Sequence, residues 1–358
     1  MPRPARLLRA EQDAVRLCHS GLDGPGVRRE VPRAVRRIMP VDAAFFATAD
    51  PDTLLFTGAW PEEPLHTATR LFLDNEFGGA DVNTFAALAT SGRHVASLDD
   101  ATRRDRRASP RYRDIMRPLG LGDELRAALV ADGQCWGYLC LHREDGHAGF
   151  TPAEAAALAR LAPHIAHALR HAMLLLASPP AATSPLRPGI LLLTDDLGLI
   201  AATPEAEQLL SLIDPDGPHR LLLPTAVYAV AARLRALERG EPTGSALPST
   251  RIATCVGSWL NVHASRLISP TDSGQLVVIL EPVEPRAMVP LILSAYRLSG
   301  REAEVARLVL RGHPTHAIAD TLHISQHTVQ DHLKSVFDKT GVHSRRDLIA
   351  HLLNPPSP

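Results

Sequence analysis

The chain has 358 residues, 45% of them hydrophobic and 22% charged, with a formal net charge of −1 at pH 7. That length exceeds one ordinary domain, so two or three compact units are expected, each able to bury its own core. The composition is that of a folded protein, no apolar run approaches the roughly 18 residues of a spanning helix, and the near-neutral charge leaves any nucleic-acid contact to a local surface. An integral membrane protein and a polybasic nucleic-acid coat are both excluded.

The amino terminus, "MPRPARLLRAEQDAVRLCHS", has arginines but no apolar core leading to a small-residue cleavage site, so a cytoplasmic location is expected. Cys18, Cys135, Cys140 and Cys255 form no C-x-x-C pair and are expected to be buried, reduced thiols. Cys135 and Cys140, five apart on a predicted strand, are expected on opposite faces of it. Every basic residue before position 334 is Arg or His, and the only lysines are Lys334 and Lys339. No P-loop can be assembled upstream, because its phosphate-reaching lysine is missing. There is no G-x-S-x-G elbow, no H-E-x-x-H and no Gly-rich nucleotide loop, so no catalytic residues, cofactor or enzyme activity is expected.

Proline-rich stretches at 177–188 and 283–290 read as linkers and divide the chain into segments 10–176, 189–282 and 291–354. The first segment opens with helical sequence, then offers "AAFFATAD" and "TLLFTGAW" as strands and helix or loop between Pro61 and Gly120. Two strand-like runs flank Asp132-Gly133, a dipeptide suited to a two-residue hairpin whose central residues both need positive φ. Thr151, Pro152 and Glu154 then mark the start of a helix with a capping box, and Leu158, Leu161, Ile165, Leu169, Ala172 and Leu176 form its apolar face. A hairpin of long strands followed by a closing amphipathic helix resembles a GAF domain, a small-molecule or protein-interaction module. In such modules the closing helix commonly supports dimerisation; the alternative is a helix packed only on its own sheet. His164, His167 and His171 share one face of this helix, but with no carboxylate or cysteine beside them a polar face is favoured over a metal site. The basic stretch "RRDRRASPRYR", 103–113, is read as a mixed-charge surface segment.

The second segment reads as a strand, a turn at Asp196-Leu197-Gly198, a short strand and a helix capped at Thr203-Pro204. Three further strands follow, separated by a Gly257-Ser258 turn and the loop "SPTDSG". Five strands with helices between the second and third resemble a PAS domain, with Thr203 where many such domains place Asn, and the resemblance implies no particular ligand.

In the third segment Ser299 and Glu302 have capping-box spacing, Val305, Leu308 and Val309 share a face, and Gly312 stops the helix. Thr315 is the expected cap of a second helix with Ile318, Ala319 and Leu322 inward. After a tight "HIS" turn a longer helix runs from about Gln326 to Thr340, closed by Gly341, and "SRRDLIAHLL" supplies a last one. Four short helices with a three-residue turn between the second and third make a helix-turn-helix domain. "LSGREAEV", "IADTLHISQHTVQDH" and "FDKTGVHSRRDL" resemble the LuxR-type DNA-binding domain, with Gln330 where the family often has Lys and Ala317 in place of a common Glu. The fold class is therefore multidomain: α+β GAF-like and PAS-like sensory domains, then an all-α four-helix helix-turn-helix domain.

Val329, Leu333, Val336 and Phe337 are expected on the inner face of the long helix, leaving His327, Gln330, Asp331, Lys334 and Asp338 outward. The resemblance makes Gln330, Asp331 and Lys334 the candidates for reading bases: Gln can pair with adenine, Asp can accept from the cytosine amino group and Lys can donate to guanine. Ser325, His327, Thr328, Lys339 and Arg345 are the candidates for phosphate contact and positioning. The implied protein is a homodimeric, sequence-specific transcription regulator of double-stranded DNA, with an RNA polymerase contact, an unidentified small-molecule or protein effector and no membrane. The competing reading is a ligand- or protein-binding signalling module whose DNA-binding tail is secondary.

Overall fold

The computed structural model describes residues 3–78, 81–176, 186–213, 223–240, 247–268 and 274–353. The first unit comprises α1 (Arg3–Cys18), α2 (Gly24–Ile38), β1 (Ala43–Ala49), β2 (Phe56–Pro61), α3 (Thr69–Phe77), α4 (Phe85–Thr90), β3 (Val95–Ser97), α5 (Leu98–Ala101), β4 (Leu121–Ala131), β5 (Gln134–Glu144) and α6 (Pro152–Leu176). Its antiparallel sheet has the order β2-β1-β5-β4-β3. β4 and β5 are joined at Asp132 and Gly133, whose φ values of 52° and 77° are those the two-residue turn requires. The edge strand β3 is new relative to the sequence reading; three residues are too few for period-two patterning to register.

Alternation along the strands sorts the core into two sides. Ala44, Phe46, Leu125, Ala127, Leu139 and Leu141 face α2 and α6, while Phe45, Ala47, Ala128, Tyr138 and Cys140 face the opposite way. Cys135 lies on the same side as Cys140, contrary to the expectation from their spacing. The register slips between them: Leu129 pairs with Gly137 but Val130 pairs with Cys135, so Trp136 is an extra residue and side-chain parity changes there. The bulge sends Trp136 to the α6 side. Gly137 is required beside it, since an added Cβ would lie 2.4 Å from the Ala47 carbonyl oxygen and 2.6 Å from Leu169 Cδ1.

α6 begins as its sequence predicts: Thr151 N donates to Glu154 Oε2 at 2.8 Å and Glu154 N donates to Thr151 Oγ1 at 3.3 Å. Leu158, Leu161, Ile165, Leu169 and Ala172 are buried, whereas Leu176, in the last turn, is 36% exposed. The basic stretch 103–113 is not all surface: Arg111 and Tyr112 are buried, because Arg111 is drawn inward by Glu124 and Asp81.

The second unit runs β6 (Gly189–Leu193), β7 (Leu199–Ala202), α7 (Pro204–Ile213), α8 (Thr225–Glu238), β8 (Ser249–Ala253), β9 (Trp259–Arg266) and β10 (Leu276–Pro282), the strand and helix order expected from sequence. Its sheet order, β7-β6-β10-β9-β8, repeats that of the first unit strand for strand. Thr203 Oγ1 caps α7 through Ala206 N and also accepts from Ile190 N. Residues 177–185, the first predicted linker apart from its last three positions, and most of the "SPTDSG" loop lie outside the described residues. The two units meet where Arg251 of β8 donates to buried Asp50 (2.7 and 2.9 Å) and where Arg235 of α8 pairs with Asp74 of α3 at 3.0 Å.

The third unit is α9 (Pro285–Ala295), α10 (Gly300–Leu310), α11 (Thr315–Leu322), α12 (Gln326–Thr340) and α13 (Arg345–Leu353). Most of the stretch read as a second linker is therefore helix. Pro285 is tolerated at the first helical position, where its missing N–H has no intrahelical acceptor to lose, and burial of Met288, Val289, Leu291, Ile292 and Leu293 offsets the bond that Pro290 removes. α9 packs on α6 and on α13, so the apolar core of the first unit continues into that of the third. No described helix is long and apolar enough to cross a membrane.

Candidate nucleic-acid interface

α10 opens with the predicted capping box. Glu302 N donates to Ser299 Oγ at 3.3 Å, and Ser299 N donates to Glu302 Oε2 at 2.6 Å. Glu302 also reaches across to α12, accepting from Ser335 Oγ and Lys339 Nζ, each at 2.6 Å. Burial pushes its carboxyl upward, but the hydrogen bonds from Lys339, Ser335 and the Ser299 backbone, with the Lys339 charge, outweigh this and hold it down at about 2. One carboxylate thus fixes the start of α10 against the back of α12.

The turn before α12 is set by backbone conformation. His323 caps α11 in the left-handed region (φ 54°, ψ 46°), and Ile324 N bonds back to the Ala319 carbonyl at 3.0 Å. Pro314, not the expected Thr315, is the N-cap of α11 and makes no side-chain cap bond; Thr315 Oγ1 instead accepts from Arg345 Nη2 at 3.0 Å. Ser325 caps α12, its Oγ accepting from Thr328 N at 3.0 Å and lying 2.8 Å from Thr328 Oγ1. Gly341 closes the helix at φ 72°.

Val329, Leu333 and Val336 are buried and Phe337 is half-buried, while His327, Gln330, Asp331, Lys334 and Asp338 are all exposed. The polar stripe read from sequence is therefore one continuous outer face of α12. His327 Nδ1 and Asp331 Oδ2 lie 3.6 Å apart on it, one turn from each other. Lys334 has no ion-pair partner among the described residues, so none of them neutralises its charge on that face. The candidate positioning residues divide. Ser325, His327 and Thr328 cluster at the amino end of α12, where the helix dipole and unpaired N–H groups favour an anion. Lys339 is engaged by Glu302 and by the Arg297 carbonyl, and Arg345 by the His313 carbonyl and Thr315, so both brace the domain.

A separate polar cluster, which the sequence reading passed over, lies inside the first unit on the Tyr138 side of the sheet. Arg126 and Arg111 are fully buried beside Glu124, Glu76 and Asp81, with Arg126 also over the Phe85 ring at 4.0 Å. Burial raises Glu124, but the two guanidiniums outweigh it and hold the carboxyl at about 2; for Glu76 burial prevails and the shift is upward. Cys140 Sγ lies 3.2 Å from Glu124 Oε2 and 3.2 Å from His142 Nε2. Burial lifts the thiol well above its ordinary value and lowers His142 to about 4. Glu124, Cys140 and His142 could be grouped around a cation, but Arg111 and Arg126 already hold Glu124. The signal in the sequence was three charged residues, Asp123, Glu124 and Arg126, in an otherwise apolar strand. Two of the three α6 histidines find a different partner: His19 of α1 lies 3.0 Å from His164 Nδ1 and stacks on His167, which sits 2.8 Å from Arg170 Nη2.

Two α+β units are followed by a helix-turn-helix unit, and comparison with known families fixes two of these three parts. The family described as bacterial regulatory proteins, luxR family (GerE), matches residues 296–352, and the GAF domain family matches residues 28–169. The chain thus carries a GAF domain at its amino end and a LuxR-family domain at its carboxyl end. No curated protein matches it. Among solved structures it is similar to a GAF domain/HD domain protein from Geobacter sulfurreducens, at 20% identity over 42% of this chain and 94% of that one, with a TM-score of 0.32. It is also similar to the phage VqmA-DPO complex (20% identity, 45% and 80% covered, TM-score 0.19) and to the E. coli DhaR(N)-DhaL complex (13% identity, 78% and 88% covered, TM-score 0.24). Likenesses at those scores carry no functional argument.

Proposed function

We propose that this protein is a sequence-specific DNA-binding transcription regulator that acts as a homodimer and is controlled by an effector at its amino-terminal units. The observation that carries the reading is the outer face of α12, where Gln330, Asp331 and Lys334 stand exposed within the LuxR-family match. An α-helix fits the major groove, and these three side chains offer an adenine reader, a cytosine acceptor and a guanine donor. Ser325, His327 and Thr328 take phosphate at the amino end of the helix, fixing register. Lys339 and Arg345 add to this by holding α12 in place, with any phosphate contact of theirs made at the expense of the internal bonds they now form.

The GAF domain and the PAS-like unit at 189–282 form the sensory part, and the shared sheet order supports the PAS-like assignment. α6 is the proposed dimer helix. A two-fold dimer reads paired half-sites only when its recognition helices are spaced for the groove, so an effector that favours one dimer arrangement regulates binding. No enzymatic step is part of this reading, and its setting is the cytoplasm, with RNA polymerase as the downstream contact.

The test is selection of random duplex DNA by the full-length protein at a stated, near-physiological salt concentration. Enrichment of a two-fold repeat is expected. If no sequence is enriched over the starting pool, with or without extracts of the producing cell, the regulator reading is wrong and the signalling-module alternative takes its place.

A further inference from the structure

Between the first two units, on the α6 side of the first sheet, lies a cavity of about 290 Å³. Phe46 and Trp60 of that sheet, Leu169 and Met173 of α6, Trp259 of β9 and Leu291 of α9 contribute to its wall. All three tryptophans of the chain line it, Trp136 by way of the bulge that turns its side chain to this side of β5. A wall of this kind favours an occupant with an apolar body.

Three charged side chains reach the wall, Arg28, Asp50 and Arg251, and they do not balance. Asp50 and Arg251 satisfy each other: Asp50 Oδ2 accepts from the Arg251 backbone N at 3.0 Å and from its Nε at 2.9 Å, and Oδ1 accepts from its Nη2 at 2.7 Å. Arg28, half-buried on α2, forms no ion pair or hydrogen bond with any described residue. What it does touch is the Trp60 ring, whose centroid lies 4.5 Å from its guanidinium carbon. Because Trp60 is itself in the wall, that contact places the charged end of Arg28, and not merely its stem, at the cavity. A ring face attracts a cation but offers no acceptor in the plane of the guanidinium N–H groups. One positive charge at a mainly apolar cavity is thus left without a counter-ion.

We propose that this cavity binds a small organic monoanion, a carboxylate on a compact apolar body, with the carboxylate paired to Arg28 and the body against the aromatic and aliphatic wall. A guanidinium matches a carboxylate through two parallel hydrogen bonds. A dianion such as a phosphate monoester fits less well, because it brings a second negative charge to a wall with no second unpaired cation, and a charge taken out of water without a partner is costly. The volume lies at the lower edge of the range for small-molecule pockets, which limits the body to a single ring or a short branched chain. The site deepens the regulator reading, on which it rests for its consequence alone. Its wall is shared by the GAF sheet, the second unit and the α9 helix that leads into the DNA-binding domain, so an occupant biases how the three pack to the extent that its affinity differs between their arrangements.

Cyclohexanecarboxylate and cyclohexanecarboxamide, alike in shape but with and without the charge, are the probes, and neither absorbs where tryptophan is excited. Each is titrated at neutral pH into the full-length protein, with tryptophan fluorescence as the readout, since every tryptophan lines the cavity. The expected result is a saturable change with the carboxylate, with the amide bound at least about tenfold more weakly. Arg28→Gln is expected to bind the two probes alike, and Arg28→Lys, which keeps the charge but not the planar fork, to retain part of the preference. Urea melts check that both variants remain folded, and the comparison of the two probes in the wild type stands without them. The proposal is overturned if the wild type binds the probes alike, if it binds neither saturably, or if the preference for the carboxylate is undiminished in Arg28→Gln. None of these results depends on DNA, so failure here is distinguishable from failure of the DNA-binding reading.

Discussion

Lys334 and Lys339 are the only lysines in the chain, five positions apart on α12, and their surroundings give them different work. Lys334 is exposed on the outer face, so Lys334→Ala is expected to leave stability nearly unchanged and to weaken specific DNA binding by about 1–3 kcal/mol. Lys339 neutralises the buried Glu302 carboxylate, so Lys339→Ala is expected to lower stability by about 1–2 kcal/mol, read by urea denaturation; the lysine's own exposure of 37% keeps the effect well below that of a fully buried pair. Equal stability of the two variants would remove the distinction. Of the two acids on the outer face of α12, Asp331 and Asp338, Asp331 is the nearer to Gln330 and Lys334: Asp331→Ala is expected either to relax preference at one cytosine or to tighten binding generally, and unchanged binding on every sequence would exclude it from the interface. His142 is a stability switch of the opposite character to a paired histidine. Burial favours its neutral form, so the unfolded chain takes up a proton below about pH 6.5 while the folded one resists until about 4. Its contribution to stability is thus full above that range and falls as the pH drops through it. His142→Gln is expected to make the pH dependence of unfolding less steep between about pH 6.5 and 4, with His167, lowered to about 4, and His164 and His351, also lowered by burial, still contributing.

At the scale of elements, α9 decides how the DNA-binding unit is held. Asp132, in the β4–β5 turn, pairs with Arg297 at 3.0 Å, but Arg297 is largely exposed and such pairs are worth little. The apolar face of α9 is buried. Ile292→Ala is therefore expected to cost about 2–5 kcal/mol and Arg297→Ala less than about 1 kcal/mol, measured by denaturant melts of the full-length chain; the reverse order would mean that charge, not packing, docks the unit. Where local chemistry set the structure, the sequence was readable: the Thr151–Glu154 and Ser299–Glu302 capping boxes, the Asp132-Gly133 turn and the two faces of α12 all rest on residues a few positions apart. α9 was misread as linker because its two prolines are local signals, whereas the burial that makes it a helix comes from α6 and α13. The bulge at Trp136 was invisible for a related reason, since register belongs to a pair of strands and β5 alone does not record its mismatch with β4. In the candidate interface the sequence placed Gln330, Asp331 and Lys334 on the exposed stripe, but the contact of Lys339 and Ser335 with Glu302 spans more than thirty residues.

At the scale of the whole molecule, two sheets of the same strand order precede the helix-turn-helix unit, and apolar core runs from the GAF domain through α9 into that unit. A change of packing in the first unit can reach α12 through this core alone. Acid is expected to undo the ends of this chain of contacts together. Glu124 in the GAF core and Glu302 under α12 both lie at about 2, so each stabilises the fold above the ordinary carboxylate range, and that contribution fades as the pH falls from about 4.5 toward 2. The most direct test of the central claim, that α12 reads DNA sequence, is the affinity of full-length protein and Lys334→Ala for the selected duplex and for a scrambled one at fixed salt. The wild type is expected to prefer the selected site by at least about a thousandfold, and Lys334→Ala to lose roughly tenfold or more of that preference. Equal preference in the two proteins would contradict it.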